Sequence, residues 1–238
     1  MIKIGVSGAA GKMGKRLINL GLKDKKDIEV VFGLEDKNHP LVGKDIEGVK
    51  IVSDPQIIKE CDCLIEFSTP EATVEHLFYL AEYKKCAVIG TTGLDSSQLQ
   101  EIKKASRIIP IVFSPNMSVG VNFLFRLVKE AVKILKEYKI YLEESHHIHK
   151  KDAPSGTAKK IAQILNEEGF NIKIEDIKSI REDEIVGDHR VVFESELDRI
   201  ELFHSAKTRD IFAQGAIKAA KWIVDKEANL YNMEDVLF

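Results

Sequence analysis

Three histidines and two lysines fall within one short segment, Glu144–Ala158, which reads ESHHIHKKDAPSGTA. Histidine can donate a proton near neutral pH, and lysine can hold an anion. Ser155, Gly156 and Thr157 follow a proline, where they can offer hydroxyls and free backbone N–H groups at the start of a helix. The segment therefore indicates a site that binds a carboxylate-bearing substrate and supplies it with a proton.

Other chemistries for this segment are weaker. On a strand, His147 and His149 share a face that His146 does not, and no Cys or carboxylate stands at zinc-motif spacing. A Ser-His-Asp hydrolase is conceivable, but Ser155 lacks a G-x-S-x-G elbow, and the proline before it fits a helix start better. For Lys151 alone, a solvated charged loop is the simpler interpretation. No metal is expected.

A glycine-rich turn, Gly8–Gly14, stands between a predicted strand, Lys3–Val6, and a predicted helix, Lys12–Leu22. Glycine lets the backbone approach a pyrophosphate, and the helix N-terminus adds N–H groups and a positive dipole end. Glu35 ends the second predicted strand, Ile28–Leu34, at the position of an acid that accepts ribose hydroxyls. This context favours dinucleotide binding over a merely structural turn.

Further apolar strands alternate with amphipathic helices in this half, at Cys63–Phe67, Ala87–Gly90 and Ile108–Phe113. Ser97 with Gln100 predicts a capping box for the helix before the last of them. Such alternation favours a parallel sheet covered on both faces, an α/β Rossmann-like domain. The turns that follow two of these strands, FSTP and GTTG, are on their own more typical of a helix cap and a plain turn.

The pattern changes near Ser118 to α+β character, which indicates a second domain. The predicted elements are a helix over 119–137, a strand over 139–147, a helix over 155–168 and strand-like runs over 172–180, 190–196 and 199–206. The helix over 210–225 has an apolar face that suits the first domain. We therefore expect a dinucleotide-binding domain of residues 1–117 plus 210–238 and a substrate-binding domain of residues 118–209.

The composition excludes several classes of protein. The 238 residues carry a net charge of −3, so nucleic acid is a poor partner. No apolar run approaches the roughly 20 residues of a membrane helix, and the N-terminus has no signal-peptide core. Cys61, Cys63 and Cys86 make no disulfide framework, and buried inert thiols are expected. We expect a cytoplasmic protein with no membrane or nucleic-acid partner.

The chain resembles the 4-hydroxy-tetrahydrodipicolinate reductase (dihydrodipicolinate reductase) family of the diaminopimelate route to lysine. The run HHIHKKDAPSGTA carries the resemblance, because its thirteen positions mix rare residue types in a fixed order. The segments GAAGKMG, GTTG, SPNMSVGVN and RDIFAQGA match the family as well, so the resemblance spans the chain. It implies reduction with NADH or NADPH and a homotetramer assembled by the sheet of the second domain.

The resemblance also assigns residues. Pyrophosphate and ribose are expected at Gly8, Gly11, Lys12, Met13, Gly14 and Glu35, and the nicotinamide beside Gly90, Thr91, Thr92, Ser114, Pro115, Asn116 and Met117. The expected catalytic residues are His146, as general acid, and Lys150, and the expected substrate-binding residues are His147, Lys150, Ser155, Gly156 and Thr157. Where the family often has arginine after the ribose-binding acid, this chain has Asp36, which favours NADH, with Lys37 as a counterweight.

Two other functions remain open at this point. One is a nicotinamide-dependent dehydrogenase of another small amino or keto acid. The other is an NAD-sensing regulator without turnover, against which the cluster around His146 speaks, because binding alone requires no proton donor.

Overall fold

The apolar runs of the N-terminal half form strands, and the computed structural model describes residues 1–238. The chain divides into two units, Met1–Ser118 with Phe212–Phe238, and Val119–Ile211. The strands are β1 (Ile2–Ser7), β2 (Ile28–Leu34), β3 (Asp45–Ile46), β4 (Val49–Val52), β5 (Cys63–Glu66), β6 (Cys86–Ile89), β7 (Ile111–Phe113), β8 (Lys139–His146), β9 (Lys178–Arg181), β10 (Asp188–Glu194), β11 (Arg199–Ser205) and β12 (Leu230–Tyr231).

The helices are α1 (Lys12–Lys23), α2 (Pro70–Glu82), α3 (Ser96–Ala105), α4 (Val119–Ile134), α5 (Gly156–Glu167), α6 (Asp210–Ile223) and α7 (Met233–Leu237). None of them has both the length and the apolar character that crossing a membrane requires. The capping box predicted at Ser97 is wrong. The Asp95 carboxylate instead accepts the Gln98 N–H at 2.9 Å and the Ser97 hydroxyl at 2.7 Å, so the serine serves as a donor to the cap.

The eight-stranded sheet of the first unit has the order β12-β7-β6-β5-β1-β2-β4-β3, and only the β3–β4 pair is antiparallel. Successive side chains alternate between its two faces, so that Ile65 joins one core cluster with α1 and α6 and Leu64 joins the other with α2 and α3. The predicted Rossmann-like sheet with both faces covered is confirmed. Its parallel strands place the turns after β1, β5, β6 and β7 at one edge.

The second unit holds a four-stranded sheet in the order β11-β10-β8-β9, in which only the β8–β9 pair is parallel. Leu142, Val191 and Phe193 pack on the side of α4 and α5, and this confirms the α+β character. On the opposite face Tyr141 and Phe203 are 51% and 53% exposed. The strand predicted over 172–180 is wrong in extent, because a 3₁₀ turn at Ile174–Asp176 precedes the short β9.

Candidate active site

The turn after β1 carries the first expected nucleotide-binding residues. Gly8 has a φ of +70°, which favours glycine, and a Cβ on Gly14 would lie 2.2 Å from the Gly8 carbonyl oxygen. Gly11 is the N-cap of α1 and contributes no side-chain cap. The first turn of α1 therefore presents backbone N–H groups that suit a phosphate. Lys12 is exposed beside them, whereas Met13 packs on the core.

Glu35 follows β2 and reaches back to the glycine turn. Its Oε2 accepts a hydrogen bond from the Ala10 N–H at 2.9 Å, and its Oε1 accepts one from the Asp36 N–H at 3.2 Å. The carboxylate therefore lies beside the turn, where an acceptor for ribose hydroxyls is needed. Asp36 and Lys37 are exposed next to it.

The turns after β6 and β7 hold the residues expected beside the nicotinamide. Thr91 is buried and hydrogen-bonded to α2. Ser114 closes the second turn by donating to the Asn116 carbonyl at 2.9 Å. Met117 is buried under α6, where a Cβ on Gly215 would lie 1.7 Å from the Met117 carbonyl oxygen. The same two turns contain Gly90, Thr92 and Pro115. The sheet thus brings these residues and the glycine turn to one edge.

In the second unit, His146 is the last residue of β8 and is 8% exposed. Its Nδ1 forms a hydrogen bond with a carboxylate oxygen of Glu144, which lies two residues earlier on the same face of the strand. A carboxylate at Nδ1 fixes the orientation of the ring. The other nitrogen, Nε2, faces Gly187, where an added Cβ would lie at 2.9 Å. Any side chain at position 187 would therefore crowd that nitrogen.

Glu144 is 1% exposed and binds three different elements of the unit. Besides His146, the Arg181 guanidinium donates to both carboxylate oxygens at 2.8 and 3.1 Å, and the Ser155 N–H donates at 3.2 Å. Burial by itself would raise the pKa of Glu144, but the hydrogen bonds from His146 and Arg181 outweigh it and lower this pKa to about 2. The carboxylate is therefore ionised at neutral pH.

Ser155 is the N-cap of α5, and its Oγ accepts the Ala158 N–H at 3.2 Å. The same Oγ lies 3.1 Å from His189 Nε2. Burial, followed by the charge of His146, lowers the pKa of His189 to about 3, so this ring is neutral. Gly156 is exposed, with no neighbouring atom within 4 Å of the place that a Cβ would take, and Thr157 is half-buried next to it. The hydrogen bonds of Ser155 therefore hold the N-terminus of α5 in place, and its backbone at Gly156 is exposed.

The remaining expected residues lie in the loop after β8. The Lys150 ammonium binds both carboxylate oxygens of Asp152, at 2.7 and 2.9 Å. His147 Nε2 lies 3.2 Å from the Arg209 guanidinium, and burial together with that charge lowers the pKa of His147. Lys151 is exposed. Lys150 and His147 thus both lie in the loop between β8 and α5.

Four residues of this cluster were missed by the sequence reasoning, namely Glu144, Arg181, His189 and Arg209. Only Glu144 had a local signal, because its i, i+2 spacing from His146 places both side chains on one face of a strand. Arg181 reaches the site through the β8–β9 pairing and His189 through the β8–β10 pairing. No group of three or more His, Cys, Asp or Glu side chains is arranged to hold a metal ion.

Comparison with known proteins identifies the family. The model for the dihydrodipicolinate reductase N-terminus matches residues 2–117, and the model for its C-terminus matches residues 120–237. The chain belongs to the dihydrodipicolinate reductase family. The 4-hydroxy-tetrahydrodipicolinate reductase of Aquifex aeolicus (strain VF5) is 42% identical over 262 residues, covering 99% of this chain and 98% of that protein. The enzyme of the same name from Syntrophus aciditrophicus (strain SB) is 40% identical over 265 residues, covering 100% and 98%.

A solved structure supports the fold of this reductase-family chain. The dipicolinate-bound dihydrodipicolinate reductase from Paenisporosarcina sp. TG-14 superposes with a TM-score of 0.85 at 22% identity, and each chain is covered completely. In this family the N-terminal Rossmann domain binds NAD(P)H. The glycine turn, Glu35 and the neighbouring turns of this chain fit such a nucleotide, because Gly8 and Gly14 let the turn pack closely against neighbouring backbone and the first turn of α1 has no side-chain cap over its N–H groups.

The buried His189 predicts a pH-dependent stability in this member of the family. In the unfolded chain this histidine takes up a proton near its ordinary pKa of 6.5, whereas the folded protein resists protonation until about pH 3. Its contribution to stability is therefore complete above pH 6.5 and is lost as the pH falls toward 3. One proton corresponds to about 1.4 kcal/mol per pH unit. Urea unfolding between about pH 6 and 4 gives the free energy of unfolding as a function of pH. Its slope for His189→Gln should be smaller than that for the parent protein by up to that amount.

His149→Gln is the matched control, since His149 is an exposed histidine of the same unit and its replacement should leave the slope unchanged. Equal pH slopes for the parent protein and His189→Gln would contradict the assignment of a neutral, buried His189.

Proposed function

We propose that the chain catalyses the NAD(P)H-dependent reduction of 4-hydroxy-tetrahydrodipicolinate to tetrahydrodipicolinate, in the diaminopimelate route to lysine, with the 4-hydroxyl leaving as water and the cofactor oxidised to NAD(P)⁺. Family membership over the whole chain supports this reaction. The observation that carries the proposal is the buried Glu144–His146 pair beside the start of α5, because it combines a proton donor with an anion-binding helix start. The regulator and general dehydrogenase alternatives have no comparable support.

NAD(P)H would be held by the first unit, in the domain of residues 1–117 plus 210–238. The cofactor, when bound, supplies the hydride for the reduction. The pyrophosphate would meet the N–H groups of the glycine turn, and Glu35 would accept hydrogen bonds from the ribose. Gly90, Thr91 and Thr92, with the turn from Ser114 to Met117, would border the nicotinamide and exclude water from it.

The substrate would bind to the domain of residues 118–209. The hydroxyls and N–H groups of Ser155, Gly156 and Thr157 would hold one carboxylate, with His147 and Lys150 assisting. Lys150 would exchange the Asp152 carboxylate for that of the substrate. Such an exchange is feasible because an exposed ion pair in water is worth only about 0–1 kcal/mol. The dipicolinate bound by the Paenisporosarcina relative has the charge pattern that this site requires.

His146 would act as the general acid, with Lys150 as the second catalytic residue. The Glu144 carboxylate holds the ring through Nδ1, so Nε2 is the nitrogen that would deliver the proton. Arg181 balances the charge of Glu144, which keeps that carboxylate ionised when His146 loses its proton. The chain's own residues thereby orient the acid.

We also propose a cytoplasmic homotetramer assembled through the sheet of the second unit. The face of that sheet opposite α4 and α5 exposes Tyr141 and Phe203, and Arg190 stacks on Phe203 with its guanidinium carbon 5.1 Å from the ring centroid. Exposed aromatic and arginine side chains are enriched in protein interfaces. Sedimentation of the purified protein would determine the number of subunits.

Oxidation of NADH or NADPH with enzymatically generated 4-hydroxy-tetrahydrodipicolinate tests the function. His146→Gln keeps much of the shape of the side chain but removes its titratable proton, so kcat should fall by about 10²-fold or more. His149→Gln, which changes an exposed histidine, should remain close to the parent. No turnover by the parent protein would contradict the function, and near-normal turnover of His146→Gln across neutral pH would contradict the acid.

The cofactor preference should lean to NADH. Glu35 and Asp36 would face the 2′-phosphate of NADPH, whose charge of roughly −2 is repelled by like charges at close range. The ratio of kcat/KM for NADH to that for NADPH should therefore exceed one, and Asp36→Arg should lower it by about tenfold. Asp36→Asn, which removes only the negative charge, should give an intermediate ratio. A clear preference of the parent protein for NADPH would overturn this expectation.

The start of α5 should discriminate between dicarboxylates and monocarboxylates. Dipicolinate should inhibit competitively against the substrate, and picolinate, which lacks one carboxylate, should bind about 10- to 150-fold more weakly, since it loses about 1.5–3 kcal/mol of charge-assisted hydrogen bonding. Gly156→Val should erase most of that difference in affinity, because the added side chain covers the N–H groups. The variant can fold, since the space beside Gly156 is open. Equal inhibition by both compounds, or unchanged discrimination in Gly156→Val, would exclude this anion site.

A further inference from the structure

A second buried acid–histidine pair lies in the first unit. Glu66, the last residue of β5, is 1% exposed, and His76 of α2 is 7% exposed. His76 Nδ1 lies 2.6 Å from Glu66 Oε2 and 3.4 Å from the Ser7 hydroxyl. An apolar pair of similar volume would often stabilise a core equally well or better. Stability alone therefore does not explain why a carboxylate and an imidazole stand here.

Glu66 acts on the turn that follows it. Its second carboxylate oxygen, Oε1, accepts the Ser68 N–H at 3.1 Å, so the turn Phe67–Ser68 is fastened to the pair. The backbone of this turn lies directly against the glycine turn after β1, since a Cβ on Gly8 would be 2.5 Å from the Phe67 carbonyl oxygen. A shift of the Phe67–Ser68 turn would therefore displace the phosphate-facing turn.

The ring of Phe67 extends the same contact to the turn after β6. A Cβ on Gly90 would lie 2.3 Å from Phe67 Cζ, so the ring fills the space that the glycine leaves. Thr73, one turn before His76 on α2, donates its hydroxyl to the Thr91 hydroxyl at 2.9 Å. The helix that carries His76 is thus tied to the turn expected beside the nicotinamide.

We propose that Glu66 and His76 are a positioning pair for the nucleotide site. His76 orients the Glu66 carboxylate, and the carboxylate holds the Phe67–Ser68 turn in place. Phe67 in turn fixes the positions of the turns after β1 and β6 relative to each other. This inference rests on the proposed binding of NAD(P)H to the first unit and adds two residues that do not themselves touch the nucleotide. It predicts that loss of the pair impairs nucleotide affinity without impairing the chemistry on the second unit.

The double variant Glu66→Leu/His76→Leu tests the proposal. It removes both polar groups of the pair together, the Ser7 hydroxyl loses only a long contact of 3.4 Å, and the half-buried Ser68 N–H can turn to water. Its urea midpoint should therefore stay close to that of the parent. If the glycine turn after β1 then adopts its nucleotide-binding conformation only about a tenth of the time, the Kd for NADH rises about tenfold. Fluorescence titration should show this rise, and steady-state kinetics should show a raised KM for NADH with kcat and the KM for the second substrate within about threefold of the parent.

Two further comparisons separate positioning from a general loss of packing. Leu80→Ala, at a fully buried position of the same helix, should lower the urea midpoint and leave the Kd for NADH within about twofold. His76→Gln, whose amide can still donate to Glu66, should bind NADH within about threefold of the parent, whereas His76→Leu should show the full loss. The His76 comparison decides the question if the double variant does not fold.

Parent-like NADH affinity in a folded double variant would overturn the proposal. So would equal affinities of His76→Gln and His76→Leu, or a loss in Leu80→Ala as large as that in the double variant. A parent protein that binds neither NADH nor NADPH would refute the proposed function as well, which distinguishes the two failures.

Discussion

The second unit depends on one buried carboxylate. A charge taken out of water is tolerated only when it is paired and hydrogen-bonded, and Glu144 meets this condition with donors from three separate elements. His146 comes from its own strand, Arg181 from β9 and the Ser155 N–H from the start of α5. Removing any one donor leaves part of a buried charge unsatisfied. The loop between β8 and α5 is therefore fixed at both ends by the same side chain.

The two units prepare for their ligands by opposite means. In the first unit, the site depends on glycines, because Gly8 and Gly14 have no Cβ and allow backbone segments to approach each other more closely than a Cβ permits. In the second, it depends on polar side chains that are present and mutually satisfied. Both devices fix geometry before a ligand arrives, which reduces the ordering that binding requires. Glycine turns suit a ligand held by backbone N–H groups, and a polar network suits proton donation.

The sequence was informative wherever the relevant partners lie close together along the chain. The glycine turn, the Thr69 cap of α2 and the Ser155 cap of α5 each depend on a few consecutive residues. Arg181 and His189 could not be found in this way, because they lie 37 and 34 residues along the chain from Glu144 and Ser155, and only strand pairing brings them to these partners. The short strands β3, β4 and β12 were not predicted either, because their pairing with other strands, rather than their own composition, defines them.

Arg181 and Lys150, two of the cations at the candidate site of the second unit, differ in their availability to a substrate. Arg181 is paired with a carboxylate that is almost fully buried, and separating them would leave that charge without compensation. Lys150 is paired with Asp152, whose carboxylate is about half exposed, so water can solvate Asp152 when the lysine leaves it. A substrate carboxylate bound by Lys150, as proposed, would therefore gain only the difference between its own ion pair and that of Asp152. Burial thus suits Arg181 to holding Glu144 in place and leaves Lys150 as the cation that can exchange partners.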